Sequence, residues 1–221
     1  MARPYTEKSG RTKMSRHQLG KPLPGFERIN RYWDRQHSTA AAKILPGEYY
    51  VTKQDEIITT VLGSCVSACV WDQVFGIGGM NHFMLPLSES GNWGGGAIIS
   101  GATRYGNYAM EHMINDILKH GGHRPNLAVK IFGGGKIISN ISNVGGNNVD
   151  FVKSYIQEEG LKLMSEDVGD IYPRKVVFFP ASGRVRVKKL KRMHNDTIVQ
   201  REKVYQHDIE QEPLEGAVEL F

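Results

Sequence analysis

The sequence predicts a mixed α/β fold, with a sheet of mixed strand direction covered by helices. Two observations lead there. Strand-like and helix-like segments are interspersed along the chain, and hairpin connections stand near both ends of that pattern. A doubly wound parallel sheet would instead alternate strand and helix with crossover connections throughout.

The elements follow in order from Pro46. Glu48–Thr52 and Ile57–Leu62 read as strands, rich in β-branched and aromatic residues. Val66–Trp71 and Ile77–Leu85 are two further apolar runs, interrupted once by Asp72-Gln73-Val74-Phe75-Gly76. Ser88–Gly101, with Gly94-Gly95-Gly96, has the length and composition of a loop that borders a site. Tyr105, Ala109, Met113 and Ile117 keep helical spacing, and Gly121-Gly122 ends that helix. Leu127–Phe132 is a strand running into Gly133-Gly134-Gly135, and Val149, Val152 and Ile156 mark a second helix that stops at Gly160. Leu161–Glu166, Val176–Phe179 and Arg184–Leu190 complete the strands, the last two joined through Pro180-Ala181-Ser182-Gly183.

Charge divides the chain of 221 residues unevenly. Residues 1–45 carry ten Lys/Arg against three acids, a local charge of +7 within a total of +5. With Lys21-Pro22-Leu23-Pro24-Gly25 and no sustained periodicity, this segment reads as a basic, mostly disordered arm with a short helix at Gly25–Gln36. Residues 46–192 then form the domain, and 193–221 a polar tail. Two cysteines make neither a disulfide framework nor, as C-x₃-C, a zinc site. No apolar leader and no run near the roughly 18 apolar residues of a membrane span is present, so the protein is expected to be soluble and intracellular.

The chemistry concentrates around Cys65 and His82. Cys65 follows a Gly63-Ser64 step at the head of one apolar run, and His82 lies seventeen positions on, in the next. Their midpoint falls in the Asp72–Gly76 break. An antiparallel hairpin centred there brings the two opposite or nearly opposite, with Cβ atoms roughly 4.5–5.5 Å apart. A thiol beside an imidazole is the arrangement of a nucleophile with its base. Each residue alone has a plainer reading, as a small buried hydrophobe and a satisfied core histidine; the matched register and the Gly-Ser turn favour the pair. Cys69, four residues along, shares the face of Cys65 but sits deeper, and reads as core packing.

Other patterns carry less. Gly133-Gly134-Gly135-Lys136 follows a strand, but it lacks phosphate-loop spacing and has Ile137 at the hydroxyl position. Close backbone packing is the better reading. His112, His120, His123, His194 and His207 show no metal-ligand spacing. Arg184, Arg186 and Lys188 alternate along one strand as a solvated face, with a patch for an anionic partner as the alternative. No cofactor, metal or nucleic acid is expected.

Residues 46–192 resemble the chemoreceptor glutamine deamidase family, CheD. The resemblance is carried by Thr59-Thr60-Val61-Leu62-Gly63-Ser64-Cys65-Val66 and Gly78-Gly79-Met80-Asn81-His82-Phe83-Met84-Leu85-Pro86. Arg104–Met110, Lys130–Gly135, Gly146-Asn147-Asn148-Val149, Glu166–Gly169 and Pro173–Val176 add matches in the same order. It departs at Gly169-Asp170, where Gly-Gly is common, and in its longer basic arm. The resemblance implies a mixed β-sheet sandwich with helices packed on one side. It implies hydrolysis of glutamine side chains on methyl-accepting chemotaxis receptors to glutamate and ammonia, making the chain a protein-glutamine glutaminase. The family's catalytic Cys, His and Thr fall on Cys65, His82 and Thr59. Thr59 follows from an ungapped step to Leu62-Gly63-Ser64-Cys65, with Thr60 beside it.

In that reading Cys65 attacks as thiolate, His82 moves the proton, and the amides of Gly63, Ser64 and Cys65 are candidates for holding the oxyanion. Thr59 accepts a hydrogen bond from the second nitrogen of His82. An ion pair with His82 is expected to keep the thiolate well below the free-cysteine value of about 8.5. The protein is then cytoplasmic, associating with membrane-bound receptors without inserting, and a CheC-like phosphatase is a further candidate partner. Three alternatives stand beside it: a Cys-His receptor methylesterase, a receptor-docking adaptor that binds a CheC-like phosphatase, and nucleic-acid binding through the arm.

Overall fold

The computed structural model describes residues 19–86, 101–137, 143–191 and 196–211. The predicted loop at Ser88–Gly101 therefore falls, but for its last residue, outside the described residues.

Short β-branched and apolar runs broken by Gly and polar turns give strands β1 (Asn30–Asp34), β2 (Thr39–Lys43), β3 (Tyr49–Thr52), β4 (Glu56–Leu62), β5 (Val66–Asp72), β6 (Gly78–Asn81), β7 (Leu127–Gly133), β8 (Lys162–Val168), β9 (Arg174–Phe179) and β10 (Arg184–Lys189). The helically spaced segments are α1 (Gly101–Lys119), α2 (Val144–Glu158) and α3 (Asp196–Gln211). Among the described residues the strands form two five-stranded sheets, β1-β2-β4-β9-β10 and β3-β6-β5-β7-β8. Both are mixed: β2 runs parallel to β4 and β7 parallel to β8, while the other neighbours are antiparallel. Helices α1 and α2 pack on the second sheet. The sandwich with helices on one side is the architecture the sequence led us to expect.

Side-chain alternation sorts each strand between layers. On β4, Ile58 and Leu62 join the main core while Ile57 joins Ala41 and Val177 in a small outer cluster. On β5, Trp71 meets Phe178 of the first sheet edge-on at 6.3 Å between ring centroids. Cys69 and Cys65 share that inward face by the same alternation. Cys69 is fully buried, as its core reading required. Along β10 the side chains of Arg184, Arg186 and Lys188 are exposed, the solvated face expected of them.

Two expectations need correction. The segment from residue 19 to 45 is part of the sandwich, not a disordered arm, and Gly25–Gln36 contains β1 rather than a helix. Leu23 and Phe26 are buried, and the Phe26 ring packs edge-on against Tyr49 and Tyr50. Arg31 is not solvated: its Nη2 and Nε donate to Glu56 Oε2 at 2.7 and 3.1 Å. Glu56 Oε1 accepts from the Tyr50 hydroxyl at 2.7 Å and from Thr52 Oγ1 at 2.6 Å. The alternating-strand signal is weak here because β2 is built on Ala40-Ala41-Ala42, small residues that lack strand propensity. The second correction is at the C-terminal side, where residues 196–211 of the supposed tail form α3.

The Arg31–Glu56 pair gives a direct test. Removing one partner of a buried pair leaves an uncompensated charge and typically costs about 3–5 kcal/mol. Arg31→Ala should lower stability by that order in a urea titration, although a solvated arm would have predicted no change.

Candidate active site

The site begins with the turn between β4 and β5. Gly63, Ser64 and Cys65 present all three carbonyls to one side. The Gly63 carbonyl accepts from Gly135 N–H at 2.7 Å and the Cys65 carbonyl from Gly134 N–H at 2.8 Å. The Ser64 carbonyl accepts from Asn148 Nδ2 on α2 at 2.9 Å. The glycine run after β7 is thus a backbone cradle for this turn, in line with its close-packing reading. Gly133 has a φ of 113°, and a Cβ there would lie 2.2 Å from the Cys65 carbonyl oxygen. Buried Arg174 braces the cradle, its Nη1 donating to the Gly133 carbonyl at 3.2 Å and to Asp167 Oδ1 at 3.1 Å.

With the carbonyls held on one side, the amides converge on the other. There they meet a carboxylate from α3. Gly63 N–H donates to Glu202 Oε1 at 2.8 Å, and Ser64 N–H to Oε2 at 2.8 Å. The Ser64 hydroxyl donates to Oε2 at 2.6 Å, and Cys65 N–H reaches Oε1 at 3.4 Å. The amides assigned to an oxyanion therefore already bind an anion.

Cys65 and His82 come together, though not by the register expected. Cys69 pairs with Met80, Trp71 with Gly78, and Val66 bridges to Phe83, so the register continued one residue sets Cys65 opposite Met84 rather than His82. The difference is two positions. Parity is kept, both side chains stay on the inward face, and His82 becomes a diagonal neighbour. Cys65 Sγ, a ring nitrogen of His82 and a Glu202 oxygen all lie within 4.8 Å of one another. This is the one such group among the described residues that could hold a metal ion. Its carboxylate oxygens, however, are engaged by the Gly63 and Ser64 amides, which marks the turn as an anion site.

Thr60, not Thr59, touches the imidazole. Thr60 Oγ1 lies 2.8 Å from His82 Nδ1 and donates its proton to the Ile44 carbonyl at 2.8 Å. A hydroxyl has a single proton, so Nδ1 must be the donor to Thr60. That fixes the tautomer with Nε2 unprotonated, and Nε2 has no hydrogen-bond partner. It is a base with a free lone pair. Thr59 points to the other face of β4, where its hydroxyl donates to the Val176 carbonyl at 2.9 Å.

The electrostatics also differ from expectation. Cys65 and His82 are both buried. Burial, then the Glu202 carboxylate, push the Cys65 thiol well above its ordinary value. Burial, then the charge of Arg201, lower His82 to about 3. With Glu202 seated, both shifts favour a thiol beside a neutral imidazole over the expected ion pair.

Residues near 82 also open the span that matches a known family model, described as CheD chemotactic sensory transduction, over residues 84–189. The chain is 55% identical over 201 residues to a probable chemoreceptor glutamine deamidase CheD of Halorhodospira halophila, covering 90% of this chain and 93% of the relative. It is 53% identical over 201 residues to a similarly named protein of Hahella chejuensis, with the same coverage. A third, from Methylobacillus flagellatus, is 53% identical over 205 residues, spanning 92% of this chain and 100% of the relative. The chain belongs to the CheD family. Spans of that length within this chain take in Cys65 and His82.

Sequence reasoning missed Thr60, Asn148 and Glu202 as contributors to this site. Asn148 lay within a motif already singled out, and Thr60 beside the threonine chosen. Glu202 carried no signal, standing in a polar segment without catalytic spacing.

Two outcomes are expected. Thr60→Val should lower turnover by about 10- to 100-fold, a fraction of a general base's contribution, while Thr59→Val stays near wild type in the same steady-state assay. As pH falls from 6.5 toward 3, the unfolded chain takes up a proton at position 82 that the native ring refuses. Native stability drops through that window, and melting temperatures of His82→Gln should fall less steeply with acidification.

Proposed function

We propose that this chain is a chemoreceptor glutamine deamidase, hydrolysing selected receptor glutamines to glutamate with release of ammonia in chemotaxis adaptation. The observation that carries this is a buried thiol on a turn with convergent amides, beside an imidazole whose Nε2 is free.

The substrate carboxamide oxygen takes the place now held by the Glu202 carboxylate. Cys65 Sγ adds to the amide carbon as His82 Nε2 removes the thiol proton, so the nucleophile is generated during attack rather than stored as an ion pair. The amides of Gly63 and Ser64 hold the developing oxyanion, each such donor contributing about 10²–10³ in rate in the known case. His82 returns the proton to the leaving nitrogen, ammonia departs, and a thioester remains. Water, deprotonated by the same Nε2, then releases glutamate and the thiol. Thr60 keeps the imidazole in its productive tautomer throughout, while Thr59 ties β4 to β9 from the opposite face.

The same reading makes cytoplasmic segments of membrane-bound receptors the macromolecular partner, with a CheC-like phosphatase as a second. No helix among the described residues is long and apolar enough to cross a membrane.

The test is incubation with a receptor cytoplasmic fragment followed by peptide mass analysis. Conversion of amide to acid raises a peptide's mass, whereas a methylesterase acting with the same pair would lower it. Cys65→Ala and His82→Ala should both abolish conversion while keeping the wild-type circular dichroism spectrum. Turnover in Cys65→Ala would overturn the thioester route.

A further inference from the structure

The Glu202 contact has no part in the reaction just described, yet it fills the reaction's most important subsite. We propose that α3 is an intramolecular product mimic. It occupies the groove of the substrate helix, places a glutamate side chain where the product forms, and holds the enzyme closed until a substrate helix displaces it. This rests on the deamidase reading and adds to it how substrate is presented and how the site is regulated.

The chemistry of the contact is specific. Deamidation of glutamine yields a glutamate carboxylate, and that group sits on the Gly63, Ser64 and Cys65 amides, within 4.8 Å of Sγ and the imidazole. A Cβ at Gly63 would lie 2.8 Å from both carboxylate oxygens, so glycine is what lets a side chain enter so closely. A carboxylate in this place is inert to the thiol, because its carbon is electron-rich and it offers no ammonia to expel.

The helix supplies the presentation. Ile198, Glu202 and Gln206 are its buried residues, spaced four apart along one face, while Arg201, Lys203 and Val204 are exposed. Tyr205 covers Gly47, and its hydroxyl bonds that of Tyr105. The groove thus reads a residue from the face of a helix, with an apolar neighbour one turn before it and a polar one a turn after. A receptor glutamine displayed at that spacing would fit the same seat. Ile198 is the one buried apolar side chain of α3 among its described residues, with Tyr205 packed partly buried against the core, so the helix has a small apolar anchor beside its Glu202 contacts and can be exchanged.

Seating α3 also disables the chemistry. Its carboxylate adds to the upward push that burial gives the Cys65 thiol, and Arg201 from the same helix adds to the depression that burial causes at His82. Displacement withdraws both charges at once.

The decisive experiment replaces product by substrate in cis. Glu202→Gln puts a carboxamide on the same amides. Cys65 would add to its carbon, ammonia would leave with the proton carried by His82, and water would cleave the thioester to regenerate glutamate at 202. Peptide mass analysis should show conversion of residue 202 at a rate independent of protein concentration, and none in Glu202→Gln combined with Cys65→Ala. Glutamine persisting at 202 in a protein that still deamidates a receptor fragment would overturn the mimicry and leave the deamidase reading intact. If neither residue 202 nor the receptor is converted, the deamidase reading itself fails.

Accessibility gives a second readout. Glu202→Ala, and separately Ile198→Asp, should raise the rate of Cys65 alkylation by iodoacetamide at least tenfold in the full chain. Labelling no faster than wild type in both variants would show that α3 does not close the site.

Discussion

The site depends on a backbone constraint: the carbonyls of Gly63, Ser64 and Cys65 are all taken from one side. Two go to amides of the glycine run after β7 and one to Asn148 on α2. A tight turn so held has its N–H groups facing the other way, unpaired by secondary structure and pointed at a common centre. Buried backbone donors of this kind must find partners, and an anion or a polarised carbonyl is the partner that suits three together. The anion-binding geometry of the turn follows from hydrogen-bond satisfaction.

The layered architecture does the second part. His82 belongs to the second sheet's side of the sandwich and Thr60 to the first, so the tautomer of the base is decided by a bond across the layers. Because Thr60 gives its proton to Ile44, the imidazole has one permitted arrangement. Its neutrality has a separate cause. Full burial penalises charge on either member of the thiol–imidazole pair, and a carboxylate beside the thiol adds to the penalty. For the proposed reaction, a neutral pair that exchanges its proton during attack is the arrangement that suits such a dry site.

The buried Arg31–Glu56 pair and the C-terminal helix show why charge is a poor guide to order. A basic segment was expected to stay in solvent, yet one of its arginines meets a carboxylate that also accepts two hydroxyl bonds. A polar segment was expected to trail, yet its Glu202 finds amides with no other partner. In both, a group costly to bury becomes tolerable where matching groups wait for it.

The sequence by itself determined the local grammar: nearly every strand from β3 onward, helices α1 and α2, the hairpins, and the nomination of Cys65 and His82. These are legible because alternation, helical spacing and turn residues act over a few positions. It also placed both residues on one face, since a two-position error in register preserves parity. What it left undecided were partners across the sandwich. Thr59 and Thr60 are adjacent and chemically alike, and only the packing of β4 between two layers shows which one faces the imidazole. The strands of residues 30–43 rest on a parallel pairing between β2 and β4, and α3 is seated by a contact 137 to 139 positions away along the chain. Contacts at such separations depend on which surfaces the fold brings together, and no local pattern encodes them.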